Sequence, residues 1–267
     1  MIRTIVSGAN GKMGRRICAL MEQDNELELV GAIEHKESPE IGNDIGVICG
    51  IGKKDVELQS DLEYIIDKGE VIIDFSTPEA TLSHVRIAAE NEKAIVVGTT
   101  GLTDKEIEEI RRLSVRIPIV LAPNMSLGVN ILFKLVEDVA KVLGEDYDIE
   151  IVEMHHRFKK DAPSGTALKL AEHAANGIGE KLEDVACYGR EGLIGERKKK
   201  EIGVMSLRGG DVVGDHTVVF AGLGERLELT HKATSRDTFA LGALRAAKWV
   251  IDKLPGFYNM QDVLGIK

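Results

Sequence analysis

Cysteine is scarce in this chain: three residues (Cys18, Cys49 and Cys187) out of 267. Their spacing makes neither a disulfide framework nor a zinc site, and it fits a reducing cytosol. Long apolar runs are also missing. The longest uncharged stretch, residues 117–133, is interrupted by two prolines, two asparagines and Ser126. A membrane-spanning helix needs ~20 consecutive apolar residues and is excluded. The first six residues run at once into Gly8, without the pattern of a signal peptide, so a cytoplasmic protein with no membrane association is expected. Basic charge is in deficit, with 34 Lys and Arg against 44 Asp and Glu. A net charge of −10 argues against coating nucleic acid. The deficit is concentrated early: residues 1–126 hold 14 basic and 22 acidic side chains, the remainder 20 and 22. Any anion site must therefore be built locally. Internal repeats and low-complexity segments are absent.

What is present can fold. Hydrophobic residues make up 43% and charged residues 29%, enough for a core and for solubility. The length implies two domains, or one large α/β domain with an insertion. Up to residue 122, short β-branched runs alternate with amphipathic stretches. Strands are predicted at 3–7, 27–34, 71–75, 94–98 and 117–122. Helices are predicted at 12–23, 62–68, 78–91 and 103–114, the last capped by Thr103 with Glu106. Such alternation implies a parallel sheet covered on both faces. After Pro123 the pattern changes. Helices at 127–143 and 164–176 and a strand at 147–155 precede three strands, 202–207, 212–221 and 227–233, joined by glycine-rich turns. They imply an α+β unit with an antiparallel or mixed sheet. A final helix covers 238–253. Lys198-Lys199-Lys200 reads as a solvated turn.

Gly8-Ala9-Asn10-Gly11-Lys12-Met13-Gly14 follows a strand and opens a helix. Gly8 permits the tight turn, Gly11 lets backbone approach a pyrophosphate, and Gly14 lets helix and strand pack closely. The helix amino terminus offers N–H groups to phosphates. A plain βα turn is the bland alternative; the position at the first turn of an α/β pattern favours a dinucleotide. Glu34 ends the second strand, 20 residues past Gly14, where an acid accepts from the adenosine ribose hydroxyls. A carboxylate repels a 2′-phosphate, whereas His35, Lys36 and Lys12 attract one, so NAD and NADP both remain open. Gly98-Thr99-Thr100-Gly101 and Ala122-Pro123-Asn124-Met125 end later strands, where ligands of open parallel sheets sit; ordinary turn chemistry explains either tetrapeptide equally well.

The densest chemistry is Glu153-Met154-His155-His156-Arg157-Phe158-Lys159-Lys160-Asp161-Ala162-Pro163-Ser164-Gly165-Thr166. Two histidines and three cations fall within six residues, a local positive site suited to an anionic substrate. Strand alternation puts His155 and His156 on opposite faces, which disfavours a shared metal, and no second cluster supplies ligands. His155 and Lys159, four apart, can meet on one side of a turn and provide a proton donor. Ser164-Gly165-Thr166 opens a helix whose amides suit a carboxylate or phosphate; an N-cap beside a solvated basic loop is the plainer reading. His216 and His231 read as structural. His84 and His173 lie in helices without evident partners. Cys18 falls in the first helix, Cys49 and Cys187 in loops, and none has a histidine nearby to make it a nucleophile.

Together, residues 8–14, Glu34, 98–101, 122–125 and 153–166 resemble the dihydrodipicolinate (4-hydroxy-tetrahydrodipicolinate) reductases of diaminopimelate-dependent lysine synthesis. The resemblance runs from residue 3 to the last helix. It implies a Rossmann-like domain of residues 1–126 and 237–267, and a smaller substrate-binding and oligomerisation domain of residues 127–236. It implies that Gly8, Ala9, Asn10, Gly11, Lys12 and Met13 bind the cofactor pyrophosphate and Glu34, with His35, the adenosine ribose. Gly98, Thr99, Thr100, Ala122, Pro123, Asn124 and Met125 line the nicotinamide end. His155 and Lys159 are the catalytic proton donors, and His156, Gly165 and Thr166 bind a cyclic imine dicarboxylate. A homotetramer is implied, and no metal. Many members follow the ribose-binding acid with arginine; here His35 and Lys36 stand instead, and lysine lacks the forked grip of a guanidinium. Use of both NADH and NADPH is therefore expected. The competing readings are another two-domain NAD(P)-dependent dehydrogenase, although no cysteine suits a semialdehyde enzyme, and a non-enzymatic dinucleotide sensor. Arg208, Lys232 and Arg236 are open between substrate, subunit and surface roles.

Overall fold

The computed structural model describes residues 1–266. The chain opens with β1 (Ile2–Ser7), α1 (Lys12–Met21), β2 (Leu27–Ile33), α2 (Ile45–Cys49), β3 (Leu58–Gln59), β4 (Val71–Asp74), α3 (Pro78–Glu90), β5 (Ala94–Val97), α4 (Asp104–Leu113) and β6 (Pro118–Leu121). Its middle holds α5 (Leu127–Leu143), β7 (Asp148–His155), α6 (Gly165–Gly177), α7 (Leu182–Val185), β8 (Ala186–Cys187), β9 (Ile202–Arg208), β10 (Gly214–Ala221) and β11 (Arg226–Ala233). α8 (Asp237–Val250), β12 (Gly256–Tyr258) and α9 (Met260–Leu264) close it. The elements fall into two units, Met1–Leu127 with Asp237–Gly265, and Gly128–Arg236.

In the first unit seven strands form one sheet in the order β12-β6-β5-β4-β1-β2-β3. Every pairing in it is parallel. β4 is buried along its whole length because both faces are covered. Val71 and Ile73 point into a cluster with Ile17 of α1 and Ala243 of α8. Ile72 points the other way, against Val85 of α3 and Ile110 of α4. Each valine or isoleucine among them contributes about 1.5–3 kcal/mol by leaving water. Two helix starts follow the sequence closely. Thr103 and Glu106 close a reciprocal capping box on α4, and Thr77 caps α3 with Pro78 in its first turn. The helix expected at 62–68 is reduced to a 3₁₀ turn, Ile66–Lys68. Leu62, Ile65 and Ile66 are still buried, so the segment serves as a plug under the sheet.

The second unit carries five strands in the order β11-β10-β7-β9-β8. β10 is antiparallel to β7 and β11, while β9 is parallel to β7 and β8. The sheet is therefore mixed. β7 lies between β9 and β10, so the late strands are not simple consecutive neighbours. α5 and α6 cover one face: Leu132, Val136, Leu170 and Ala174 meet Ile149, Ile151, Val204 and Phe220. The alternation of β7 then changes chemistry without changing face. Its buried positions are Ile149, Ile151, Glu153 and His155. The neighbouring strands change in the same rows. Phe220 and Val218 of β10 give way to His216 opposite Glu153. Val204 of β9 gives way to Ser206 beside Glu153 and Arg208 beside His155. One end of the covered face is thus apolar core and the other is a polar site.

Candidate active site

A cleft of about 420 Å³ opens at the carboxyl ends of the parallel strands, walled by Gly8, Gly11, Glu34, Phe75, Ser76 and His84. Gly8 has φ +70°, the left-handed region, and a Cβ there would lie 2.3 Å from the Phe75 carbonyl oxygen. A Cβ on Gly14 would lie 2.1 Å from the Gly8 carbonyl oxygen. The loop therefore folds only with glycine at both points. Gly11 caps α1 and no side chain caps that helix, so its amino end is presented as bare backbone. Glu34 Oε2 accepts from the Asn10 N–H at 3.0 Å, which ties the acid to the glycine loop. This cradle, closed to a Cβ at Gly8 and Gly14, with a carboxylate at its rim, fits a dinucleotide.

The sequence-derived residues divide at this cleft. Gly8, Gly11, Glu34 and His35 line it, as does Lys36. Ala9 is buried behind the loop. Gly98, Thr99 and Thr100 follow β5, and Ala122, Pro123, Asn124 and Met125 follow β6, but these seven are not in the cleft wall. Gly98 is needed for packing, since a Cβ would lie 2.2 Å from the Phe75 ring. Met125 is seated against α8, where a Cβ on Gly242 would lie 1.8 Å from the Met125 carbonyl oxygen. Ser7, Phe75, Ser76, Thr77 and His84 line the cleft and were not singled out as cofactor ligands by sequence. The expectation that His84 and His173 lack partners is corrected. His84 Nδ1 is 2.6 Å from Asp74 Oδ2, and His173 Nδ1 is 2.6 Å from Glu137 Oε2. Cys49 is also corrected: it ends α2, and its free thiol lies within hydrogen-bonding reach of the free thiol of Cys18. Cys187 lies in the short strand β8.

In the second unit the polar end of the sheet is organised around Glu153, which is fully buried. Arg208 donates to both of its oxygens, at 2.8 and 2.9 Å. His155 Nδ1 lies 2.6 Å from Oε2, and the Ser164 N–H donates to Oε1 at 3.1 Å. Burial pushes this carboxyl up, but the hydrogen bonds from Arg208, His155 and Ser206 outweigh it and hold it at about 2. An ionised Glu153 requires the hydrogen of the neutral His155 ring on Nδ1, leaving Nε2 as the acceptor. The His155 pKa is lowered: burial, with the charges of Lys159 and Arg208, outweighs the raising effect of Glu153. The Lys159 ammonium is 2.9 Å from Asp161 Oδ1.

The strand ends at His155, and His156 begins the following turn. The His156 Nδ1 is buried without a hydrogen-bond partner. Ser164 caps α6 by accepting from the Ala167 N–H, and its hydroxyl lies 3.1 Å from His216 Nε2. His216 also meets the His155 ring edge-on, at 5.2 Å between centroids. Burial and the neighbouring His155 push His216 down to about 4. Gly165 is exposed at the start of α6, with open space where a Cβ would be. Among the described residues no group of three or more His, Cys, Asp or Glu is placed to hold a metal ion. No helix among them is long and apolar enough to cross a membrane.

The same two-part pattern appears in known proteins. Residues 2–125 match the family described as dihydrodipicolinate reductase, N-terminus, and residues 128–264 match dihydrodipicolinate reductase, C-terminus. The chain belongs to the dihydrodipicolinate reductase family. It is 54% identical over 267 residues to the 4-hydroxy-tetrahydrodipicolinate reductase of Syntrophus aciditrophicus, covering all of both chains. To the enzyme of the same name from Syntrophobacter fumaroxidans it is 49% identical over 267 residues, again covering both in full. Among solved structures it is similar to a dipicolinate-bound dihydrodipicolinate reductase from a Paenisporosarcina species. That match has a TM-score of 0.76 and 25% identity, and it covers 98% of each chain. The family's N-terminal part covers β1 to β6 with the glycine loop, and its C-terminal part covers the mixed sheet with its histidine cluster together with α8, β12 and α9 of the first unit.

Two members of the site were not identified in the sequence. Arg208 stood there without a role, and His216 was read as structural. Both reach Glu153 through strand register, at separations of 55 and 63 residues.

Proposed function

We propose that this chain reduces the cyclic imine dicarboxylate 4-hydroxy-tetrahydrodipicolinate to tetrahydrodipicolinate with NAD(P)H, in the diaminopimelate route to lysine. The observation that carries this reading is the pairing of a dinucleotide cradle with a buried Glu153–His155 pair beside a cation and an open helix start, in a full-length member of the reductase family. The cofactor is held by Gly8, Ala9, Asn10, Gly11, Lys12 and Met13 at its pyrophosphate, and by Glu34 with His35 at its adenosine ribose. Gly98, Thr99, Thr100, Ala122, Pro123, Asn124 and Met125 shape the nicotinamide end. NADH and NADPH are both used, because Glu34 favours free ribose hydroxyls while the exposed His35 and Lys36 attract a 2′-phosphate.

The substrate's hydroxyl leaves as water to give a conjugated imine, and a bound reduced nicotinamide would supply hydride to the ring carbon conjugated with it. The rest falls to the chain. His156, Gly165 and Thr166 bind the substrate, the α6 amides holding a carboxylate and fixing the ring's orientation. Lys159 donates a proton to the ring nitrogen as negative charge develops there. His155, with Nδ1 committed to Glu153, offers Nε2 as the second proton-handling group. Glu153 touches no reacting atom in this scheme and acts by positioning His155. The enzyme works in the cytoplasm as a homotetramer. The test is oxidation of NADH and NADPH by purified protein given substrate generated by the preceding synthase.

A further inference from the structure

A buried carboxylate that no assigned role uses sits directly behind the dinucleotide cleft. Asp74, at the end of β4, is fully buried. Its Oδ1 lies within 2.7–3.1 Å of the hydroxyls of Ser76, Thr81 and Thr99, and its Oδ2 lies 2.6 Å from His84 Nδ1. Burial opposes ionisation, but the His84 and Ser76 hydrogen bonds outweigh it and keep the carboxyl below its ordinary range. A buried charge is costly unless its partners are complete, so the ring of His84 is fixed by a strong constraint.

That constraint decides which nitrogen is offered outward. An ionised Asp74 can only accept, so Nδ1 of His84 carries the hydrogen. Ser7 Oγ, 3.1 Å away, shares the same edge of the ring. The other nitrogen, Nε2, has no hydrogen-bond partner among the described residues, and the side chain is only partly buried. The ring is 13% exposed and lines the cleft that also holds Gly8, Gly11 and Glu34. In its neutral form the ring therefore offers a hydrogen-bond acceptor at the edge that lines the cleft. Along the backbone of a dinucleotide, the groups that donate to such an acceptor are the sugar hydroxyls.

We propose that His84 contacts the cofactor directly, its Nε2 accepting from a ribose hydroxyl, and that Asp74 is the residue that positions it. This rests on the dinucleotide reading given above and adds a ligand that the glycine loop and Glu34 do not supply. Asp74, Ser76, Thr81 and Thr99 then form one network that couples the ends of β4 and β5 to the cofactor.

Two variants separate contact from structural support. His84→Asn keeps a donor at the Nδ1 position for Asp74 but ends short of the cleft. His84→Gln reaches the Nε2 position. NADH affinity is read by fluorescence titration, and melting temperature is read without cofactor. The expected result is a rise in Kd of about tenfold for His84→Asn, or about 1.4 kcal/mol, with little change in melting temperature. His84→Gln recovers part of the loss. A Kd for His84→Asn within about twofold of the parent, in a folded protein, overturns the proposal and leaves the dinucleotide reading intact. A parent chain that binds neither NADH nor NADPH overturns both. Carbethoxylation of the unaltered protein, followed by mass analysis of the His84 peptide, needs no variant to fold. Protection of His84 by NADH supports the contact, and equal rates with and without NADH overturn it.

Discussion

Nδ1 of His155 lies 2.6 Å from Oε2 of Glu153, and both side chains are buried on one face of β7. The two are linked by the period of the strand: residues two apart share a face. Because Arg208 keeps Glu153 ionised, the ring has one tautomer and one orientation. Glu153→Gln removes the charge while nearly preserving the shape. We expect kcat to fall by roughly a hundredfold with NADH affinity unchanged. The ring nitrogens of His155 should show a mixed tautomer by nitrogen NMR. Unchanged kcat together with a single tautomer would remove Glu153 from the mechanism.

Lys159→Ala and His155→Ala should each lose most of kcat, at least roughly a hundredfold, and still bind NADH. His156→Ala should mainly raise KM for the imine, since it removes binding shared by ground and transition states. Steady-state kinetics at saturating NADH separates the two patterns. Near-normal kcat in either of the first two variants dismisses that residue as a proton-handling group.

His216 ties stability to pH. It is buried, and its pKa is pushed to about 4 from an ordinary 6.5. The unfolded chain therefore takes up a proton between pH 6.5 and 4 that the folded chain refuses. Stability is complete above 6.5 and declines as pH falls toward 4, by on the order of 3 kcal/mol from this residue. His155 and His231, also lowered by burial, add to the slope with the same sign. Glu153 acts lower: its contribution is present above its ordinary 4.5 and is lost as pH falls to about 2. Denaturant unfolding across this range should show a shallower slope for His216→Gln than for the parent. Identical slopes would contradict the assignment.

The rim of the dinucleotide cleft carries one acid and two potential cations. Catalytic efficiencies with NADH and NADPH should lie within roughly a hundredfold of each other, a difference below about 2.7 kcal/mol. Glu34→Gln should move the ratio toward NADPH, since Glu34 borders the cleft beside His35 and Lys36. A larger ratio in the parent, or a shift toward NADH in the variant, would contradict the dual-use reading.

Much of this fold was legible in the sequence because its signals are local. The glycine loop, the buried runs that became β1, β4 and β5, and the Thr103–Glu106 box are set by residues within a few positions of one another. α2, β3 and β12 were missed because elements of five, two and three residues show no period. Glu153 and His155 could be placed on one face by counting, whereas Arg208 and His216 join them only through the pairing of β7 with β9 and β10. His84 and Asp74 are ten residues apart on different elements, and helix and strand periods alone do not bring them together. Nonlocal hydrogen bonding made both polar centres, and it leaves little trace in a linear pattern.

The central claim is best tested by cofactor oxidation with substrate made in place. Purified protein receives the preceding synthase with pyruvate and aspartate semialdehyde, then NADH or NADPH in separate runs, with omission of the synthase as control. Rapid oxidation that requires the synthase, with either cofactor, is the result this account predicts. No oxidation by a chain that binds NADH, or oxidation equally fast without the synthase, would contradict it.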